Sequence, residues 1–374
     1  MIMSRNQMSS ATAEGSISEL SKTTFLDQAG AWLLNSGIQE GSGGVARYYL
    51  ADVHQSRAIS TEITGYAVST FTYLHALTRH EQYLDAAKRA ASFLTQTAWD
   101  ARLCIFPFEY PEKTLAYFFD SGIIVRGLLS LWRVTGEREL LDVAKATGRG
   151  MAVCFAAGNS EYHPILQLPD KCPQPRADQW SRMPGCYQLK SALAWHDLFK
   201  VTGESDYLHW YESLLSESLR THESFLPGAE GDRVMDRLHA YCYFLEALSP
   251  RVERADVAGA LGAGIASVSK YLRAIEPRFA RSDVYAQLLR LRLLSEGAGV
   301  AVDRLDASSE AEKLAVFQQK NPDLRVGGGF SFGRRGDQFL PHINPVSTGF
   351  GLQALMMWRQ YLDGELNFST DLLI

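Results

Sequence analysis

Cysteine is scarce in this chain, and what there is forms no pattern. Cys104, Cys154, Cys172, Cys186 and Cys242 are odd in number, widely spaced, and include no C-x-x-C pair. A disulfide framework and a zinc clip are both excluded as readings, which leaves reduced thiols. Long apolar runs are also missing. Nothing approaches the roughly 18 residues of a membrane span, and the Ser- and Ala-rich first twenty residues hold no signal-peptide core. The expectation is a cytoplasmic protein with no membrane span and a disordered tail over residues 1–20. Basic runs are absent too, and 37 Lys and Arg against 42 Asp and Glu leave a net charge of −5. Nucleic acid, which needs a positive stripe to neutralise its phosphates, is not an expected partner. The nine histidines are scattered, with no i, i+4 pair near a Cys or Glu, so no metal site is read. The Gly327–Arg335 run lacks the Gly-Lys-Ser/Thr ending of a phosphate loop, and no cofactor is expected.

What is present is ample core-forming material: 46% of residues are hydrophobic and 21% charged, the balance of a folded globular chain. An internal repeat organises it. Leu74-His-Ala-Leu-Thr78, Leu131-Trp-Arg-Val-Thr135 and Leu198-Phe-Lys-Val-Thr202 each end an apolar segment. Each is followed by a polar turn, and then by two large apolar residues at one shared offset: Tyr83-Leu84, Leu140-Leu141 and Tyr207-Leu208. Gly136 and Gly203 suit the left-handed conformation at a helix end. So short a connection forces the two helices to lie antiparallel.

Less exact copies continue the pattern. Val234–Leu248 pairs with Ala255–Ile275, Ser282–Ser295 with Ser309–Gln319, and Val346–Leu362 with the first helix, Thr23–Ser36. Six segments, starting near Thr61, Phe119, Met183, Met235, Ser282 and Val346, are apolar nearly all round. The other six carry a charged face. Inner and outer helices follow, and with no polar capping repeat at the C-terminal end the expected architecture is a closed (α/α)6 toroid of six helical hairpins over residues 21–374. The Gly327–Arg335 run reads as a small β-hairpin or lid near the last inner helix.

Parallel inner helices collect their N-terminal ends at one mouth, where the helix dipoles favour anions and oxygen-rich ligands. Glu62 stands there as a first-turn acid or a cleft carboxylate. Asp120 stands as an N-cap or as a carboxylate whose burial raises its pKa. Arg126 sits in an apolar helix and requires a partner, with Asp120 or Glu62 the nearest in the pattern. Tyr187 and Lys190 open the third inner helix. Asp236 and His239 share one face of the fourth, which suits proton transfer or a histidine satisfied within the core. Asp283 opens the fifth helix, and His342 and Asn344 precede the sixth. The loop Gly41–Tyr49 is placed to cover the same mouth.

Thr61-Glu-Ile-Thr-Gly-Tyr66, Phe119-Asp-Ser-Gly122 with Arg126-Gly-Leu-Leu129, and Asn344-Pro-Val-Ser-Thr348 resemble motifs of the six-hairpin glycosidase-like superfamily, above all members associated with bacterial polysaccharide metabolism. The resemblance implies an (α/α)6 fold and an oligosaccharide or polysaccharide ligand. It leaves the reaction open, since that superfamily holds glycosidases, lyases and epimerases. The paired-histidine motif of the N-acylglucosamine 2-epimerase family is not present. One expectation is a glycoside hydrolase with Glu62 and Asp120 as its carboxylates, Asp236 as substitute, and Tyr66, Phe118 and Tyr187 stacking on sugar rings. A second is a lyase or epimerase using Tyr187, His239 or His342 for proton transfer, with Arg126 or Lys190 neutralising a uronate. A third is a non-catalytic glycan-binding protein.

Overall fold

The computed structural model describes residues 24–158, 161–177, 179–226, 233–296, 299–300, 302–367 and 369–374; the tail 1–20 lies outside them. Among the described residues twelve α-helices follow one another: α1 (Thr24–Asn35), α2 (Thr61–Thr78), α3 (Glu81–Ser92), α4 (Phe118–Thr135), α5 (Arg138–Cys154), α6 (Leu189–Thr202), α7 (Ser205–Thr221), α8 (Arg233–Ala247), α9 (Ala255–Ile275), α10 (Ser282–Glu296), α11 (Arg304–Ala315) and α12 (Pro345–Leu362). The even-numbered helices form the inner ring. Each packs on the next, and α12 packs on α2, so the ring closes. Each odd-numbered helix lies outside against its hairpin partner, and α1 completes the circle by packing on α12.

The repeated threonine explains the repeated turn. Thr78, Thr135 and Thr202 each donate a hydroxyl bond to the carbonyl four residues back. Each then accepts the backbone N–H two residues on, from His80, Glu137 and Glu204. The residue between is left-handed: Gly136 at φ 70°, Gly203 at φ 72°, and Arg79 at φ 61° in the first hairpin. One hydroxyl thereby ties the end of one helix to the start of the next.

Inner helices also meet closely. A Cβ on Gly127 of α4 would lie 2.4 Å from the carbonyl oxygen of Gly65 on α2, so this contact admits only glycine there. Two helix starts differ from the sequence reading. The third inner helix begins at Leu189 rather than Met183, because Pro184-Gly185 interrupts it and leaves only short 3-10 turns at Trp180–Arg182 and Cys186–Gln188. Helix α11 begins five residues early because the Asp303 side chain accepts the N–H groups of Leu305 and Asp306.

Short antiparallel ladders bind the loops into a rim. Ile59–Ser60 pairs with Glu109–Tyr110, and Leu115–Tyr117 with Ile165–Gln167. Tyr49–Leu50 pairs with His342–Ile343, and Ala280–Arg281 with Gly333–Arg335, which turns back on Gln338–Phe339. That last pair is the hairpin anticipated near the final inner helix. No described helix is long and apolar enough to cross a membrane.

Candidate active site at the mouth of the ring

Within the rim lies a cleft of about 530 Å³, bordered by side chains from all six inner-helix starts or the segments leading into them, and from the loops between. Glu62, Asp120, Asp236 and His239 all border it, as do Tyr187, Asp283, His342 and Asn344. Four anticipated ligand residues do not. Phe118 is fully buried among Phe155, Tyr162 and Trp195. The next residue, Phe119, faces the cleft instead, since one helical step turns a side chain by about 100°. Tyr66 lies one turn below Glu62, where its hydroxyl donates at 3.0 Å to that of Tyr243, which does border the cleft. Arg126 is paired neither with Asp120 nor with Glu62: its Nε meets Asp197 at 3.0 Å, and Nη2 donates to the Thr370 carbonyl. Lys190 is buried against Glu246 at 2.8 Å.

Glu62 and Asp120 sit in the first turns of adjacent helices, α2 and α4. Asp120 is the third residue of α4, so it is not the N-cap, which is Tyr117. It is only 3% exposed, and its Oδ2 has no hydrogen-bond partner. Burial pushes its pKa well above the carboxylate range. The negative charge of Glu62 adds to that rise, and Arg47 opposes it. Burial likewise raises Glu62 to about 7, again against Arg47. Arg47 itself is engaged, donating to Glu109 at 2.8 Å.

The facing wall comes from α8 and α10, which stand across the ring from α2 and α4. Arg281 binds Asp236 at 2.6 Å and grips both oxygens of Asp283. His239 Nδ1 lies 2.7 Å from Gln287 Oε1 and 3.5 Å from Asp283. Burial lowers its pKa to about 4 despite that carboxylate. With Gln287 accepting, Nδ1 carries the proton and Nε2 is the basic nitrogen. His342 packs edge-on against Tyr48, and its Nδ1 is buried without a partner. Asn344 spends its side-chain oxygen capping α12, on the N–H groups of Val346 and Ser347.

Aromatic rings complete the lining: Tyr48, Phe108, Tyr117, Phe119, Trp180, Tyr187, Tyr243 and Phe332. Trp180 and Arg47 come from irregular loops, where helical periodicity carries no signal. Tyr243 and Gln287 were hidden among the apolar residues of inner helices. Among the described residues no group of three His, Cys, Asp or Glu could hold a metal ion.

Solved structures share this architecture. A sugar epimerase from a ruminal bacterium superposes with a TM-score of 0.68 at 10% identity, covering 89% of this chain and 99% of that one. The fold is an (α/α)6 toroid. Cellobiose 2-epimerase from Bacillus thermoamylovorans gives 0.68 at 12% identity, with 89% and 99% covered. An unsaturated glucuronyl hydrolase from a Bacillus species gives 0.63 at 13%, with 90% and 97% covered. Sequence comparison finds no matching family model and no similar curated protein. Identities this low speak to the toroid alone; the chemistry has to be argued from the cleft.

Proposed function

We propose that this protein hydrolyses a glycosidic bond, with Asp120 as general acid and Glu62 as its carboxylate partner. The observation that carries the reading is the Glu62–Asp120 pair. Two carboxyl groups from neighbouring inner helices share one aromatic-walled cleft, where burial raises both and the charge of Glu62 further disfavours ionisation of Asp120. Burial and the charge of Glu62 both favour the protonated form of Asp120, which can deliver its proton to a leaving oxygen. Glu62, near 7, is available as base or nucleophile. Phe119, Tyr187 and Trp180 offer ring faces to the sugars. The structural neighbours named above act on carbohydrates by their descriptions, which supports a saccharide ligand without choosing the reaction.

The test is a panel of oligosaccharides incubated with the protein in 18O-water and followed by mass spectrometry. Hydrolysis places one heavy oxygen in a product. Asp120→Asn lowers the rate about 10²–10⁴-fold, the range typical of a positioned general acid. The thermal midpoint stays within about 2 °C, since Asp120 accepts no bond from another residue's side chain. An active Asp120→Asn enzyme would overturn the assignment.

A second reading has an observation of its own. His239, neutral and held by Gln287, and His342, with its open Nδ1, border the same cleft. Such a pair suits proton abstraction and return, as an epimerase requires. Deuterium entering an unbroken sugar in heavy water would favour it over hydrolysis. The uronate version of this chemistry is weakened, because Arg126 and Lys190 lie outside the cleft and are paired elsewhere.

A further inference from the structure

The cleft contains two guanidinium groups, and both are engaged. Arg281 is shared between Asp236 and Asp283, and Arg47 is bonded to Glu109. Burial keeps the imidazoles of His239 and His342 neutral near pH 7. Four carboxyl groups border the same space: Glu62, Asp120, Asp236 and Asp283. Among the described lining residues, no cation is left to neutralise an acidic sugar. Asp236 gives one oxygen to Arg281 and keeps 46% of its side chain exposed. Asp120, almost wholly buried, borders the cleft with an oxygen that no protein group satisfies. A buried oxygen without a partner in such a wall calls for a hydrogen-bonding group on the ligand.

We infer that the cleft takes a saccharide carrying a free protonated amine, an N-unsubstituted hexosamine, with Asp236 as the counter-ion that recognises it. This rests on the reading of the cleft as a saccharide site. An ammonium brings three donors and a charge to acceptor-rich walls, where an N-acetyl group brings one neutral donor. The aromatic faces around it add favourable cation–π contacts. A uronate would meet carboxylates on both sides and no free cation.

The experiment is calorimetric titration of the full chain, at pH 6.5 and low ionic strength. The ligands are β-1,4-linked and α-1,4-linked hexosamine tetramers, their N-acetylated counterparts, and tetragalacturonate. Where a tetramer is cleaved, the Asp120→Asn protein is used beside wild type. One amine-bearing tetramer binds at least about ten-fold tighter than its N-acetylated form, a difference of one charge-assisted contact. Its affinity falls as salt rises, and tetragalacturonate gives no heat of binding. Asp236→Asn weakens the amine-bearing tetramer more than its N-acetylated form and so removes most of the amine preference. If that variant melts early, the salt dependence of wild type decides in its place. Equal or tighter binding of the N-acetylated tetramers, binding of the uronate, or binding of none of these would overturn the inference. Amine-selective binding without cleavage would instead sink the hydrolase reading and leave this one standing.

Discussion

At the scale of single residues, the cleft turns on the environment of two carboxyl groups. Burial raises Glu62 and Asp120, and both are opposed by Arg47, which Glu109 holds by one hydrogen bond. Glu109 thereby tempers a cation that would otherwise draw both carboxyl groups toward ionisation. The catalytic rate needs Glu62 ionised and Asp120 protonated. Its rising limb therefore follows the ionisation of Glu62 at about 7, and loss of the Asp120 proton ends the active range. Removing the charge of Glu109 strengthens the pull of Arg47, lowers the pKa of Glu62, and moves the rising limb to lower pH. Arg47→Gln moves it the other way. A pH–rate profile of Glu109→Gln with its rising limb unmoved or shifted upward would contradict this arrangement. Half of it was readable beforehand, since an acid in the first turn of a helix that is otherwise apolar stands out. The partner of Arg126 was not, because Asp197 lies 71 residues further along the chain and only the folded ring brings the two together. Phe118 and Phe119 make the same point at the level of one helical step: composition names the aromatic pair, and the phase of the helix decides which ring meets the cleft.

At the scale of elements, the αα-hairpin was the most legible feature, because its turn is local chemistry. The threonine, the left-handed residue and the next N–H lie within three residues of one another, so the repeat in sequence is the repeat in structure. What periodicity did not reveal is where a helix waits for its first full turn, as Leu189 does behind Pro184-Gly185, or how strands of two or three residues join distant loops. Such ladders depend on partners such as Tyr49 and Ile343 that only the closed ring makes neighbours. The three turns also give a paired prediction. Gly136 has φ 70° and open space around its Cα, so Gly136→Ala meets no clash and costs only the left-handed strain, about 1 kcal/mol. Arg79 already bears that strain at φ 61°, with an exposed side chain. Arg79→Gly relieves it, and the gain is about 0.5–1 kcal/mol after the added freedom of glycine in the unfolded chain. Urea unfolding of the two variants should move in opposite directions. A shared direction would mean that the three hairpin turns are not equivalent.

At the scale of the whole molecule, the ring must fill its own centre. Tyr66, Tyr243 and Phe350 meet edge to face beneath the cleft. Deeper still, α6, α8, α10 and α12 converge on one buried ionic group. Glu246 accepts from Lys190 and Arg290, Arg290 also donates to Gln353, and both cations reach the main-chain oxygen of Ile374. Burial would raise Glu246, but Arg290 and Lys190 hold it below the usual range. Burial lowers Lys190 to about 7, and Glu246 resists that fall. Such a cluster stabilises little by itself, because desolvation offsets most of the attraction, yet breaking it strands charge in the core. Glu246→Gln removes the carboxylate that Lys190 and Arg290 share. It should cost about 3–5 kcal/mol, with Lys190 surrendering its proton to limit the damage. The loss should therefore be larger at pH 6, where Lys190 would otherwise be charged, than at pH 9. Replacing the three ionic side chains together, as Lys190→Met, Glu246→Leu and Arg290→Met, should restore most of that stability. A single Glu246→Gln change that moves the urea midpoint by less than about 1 kcal/mol equivalent would mean that water reaches these charges. The sealed centre, and with it the separation of the cleft from the far side of the ring, would then have to be abandoned.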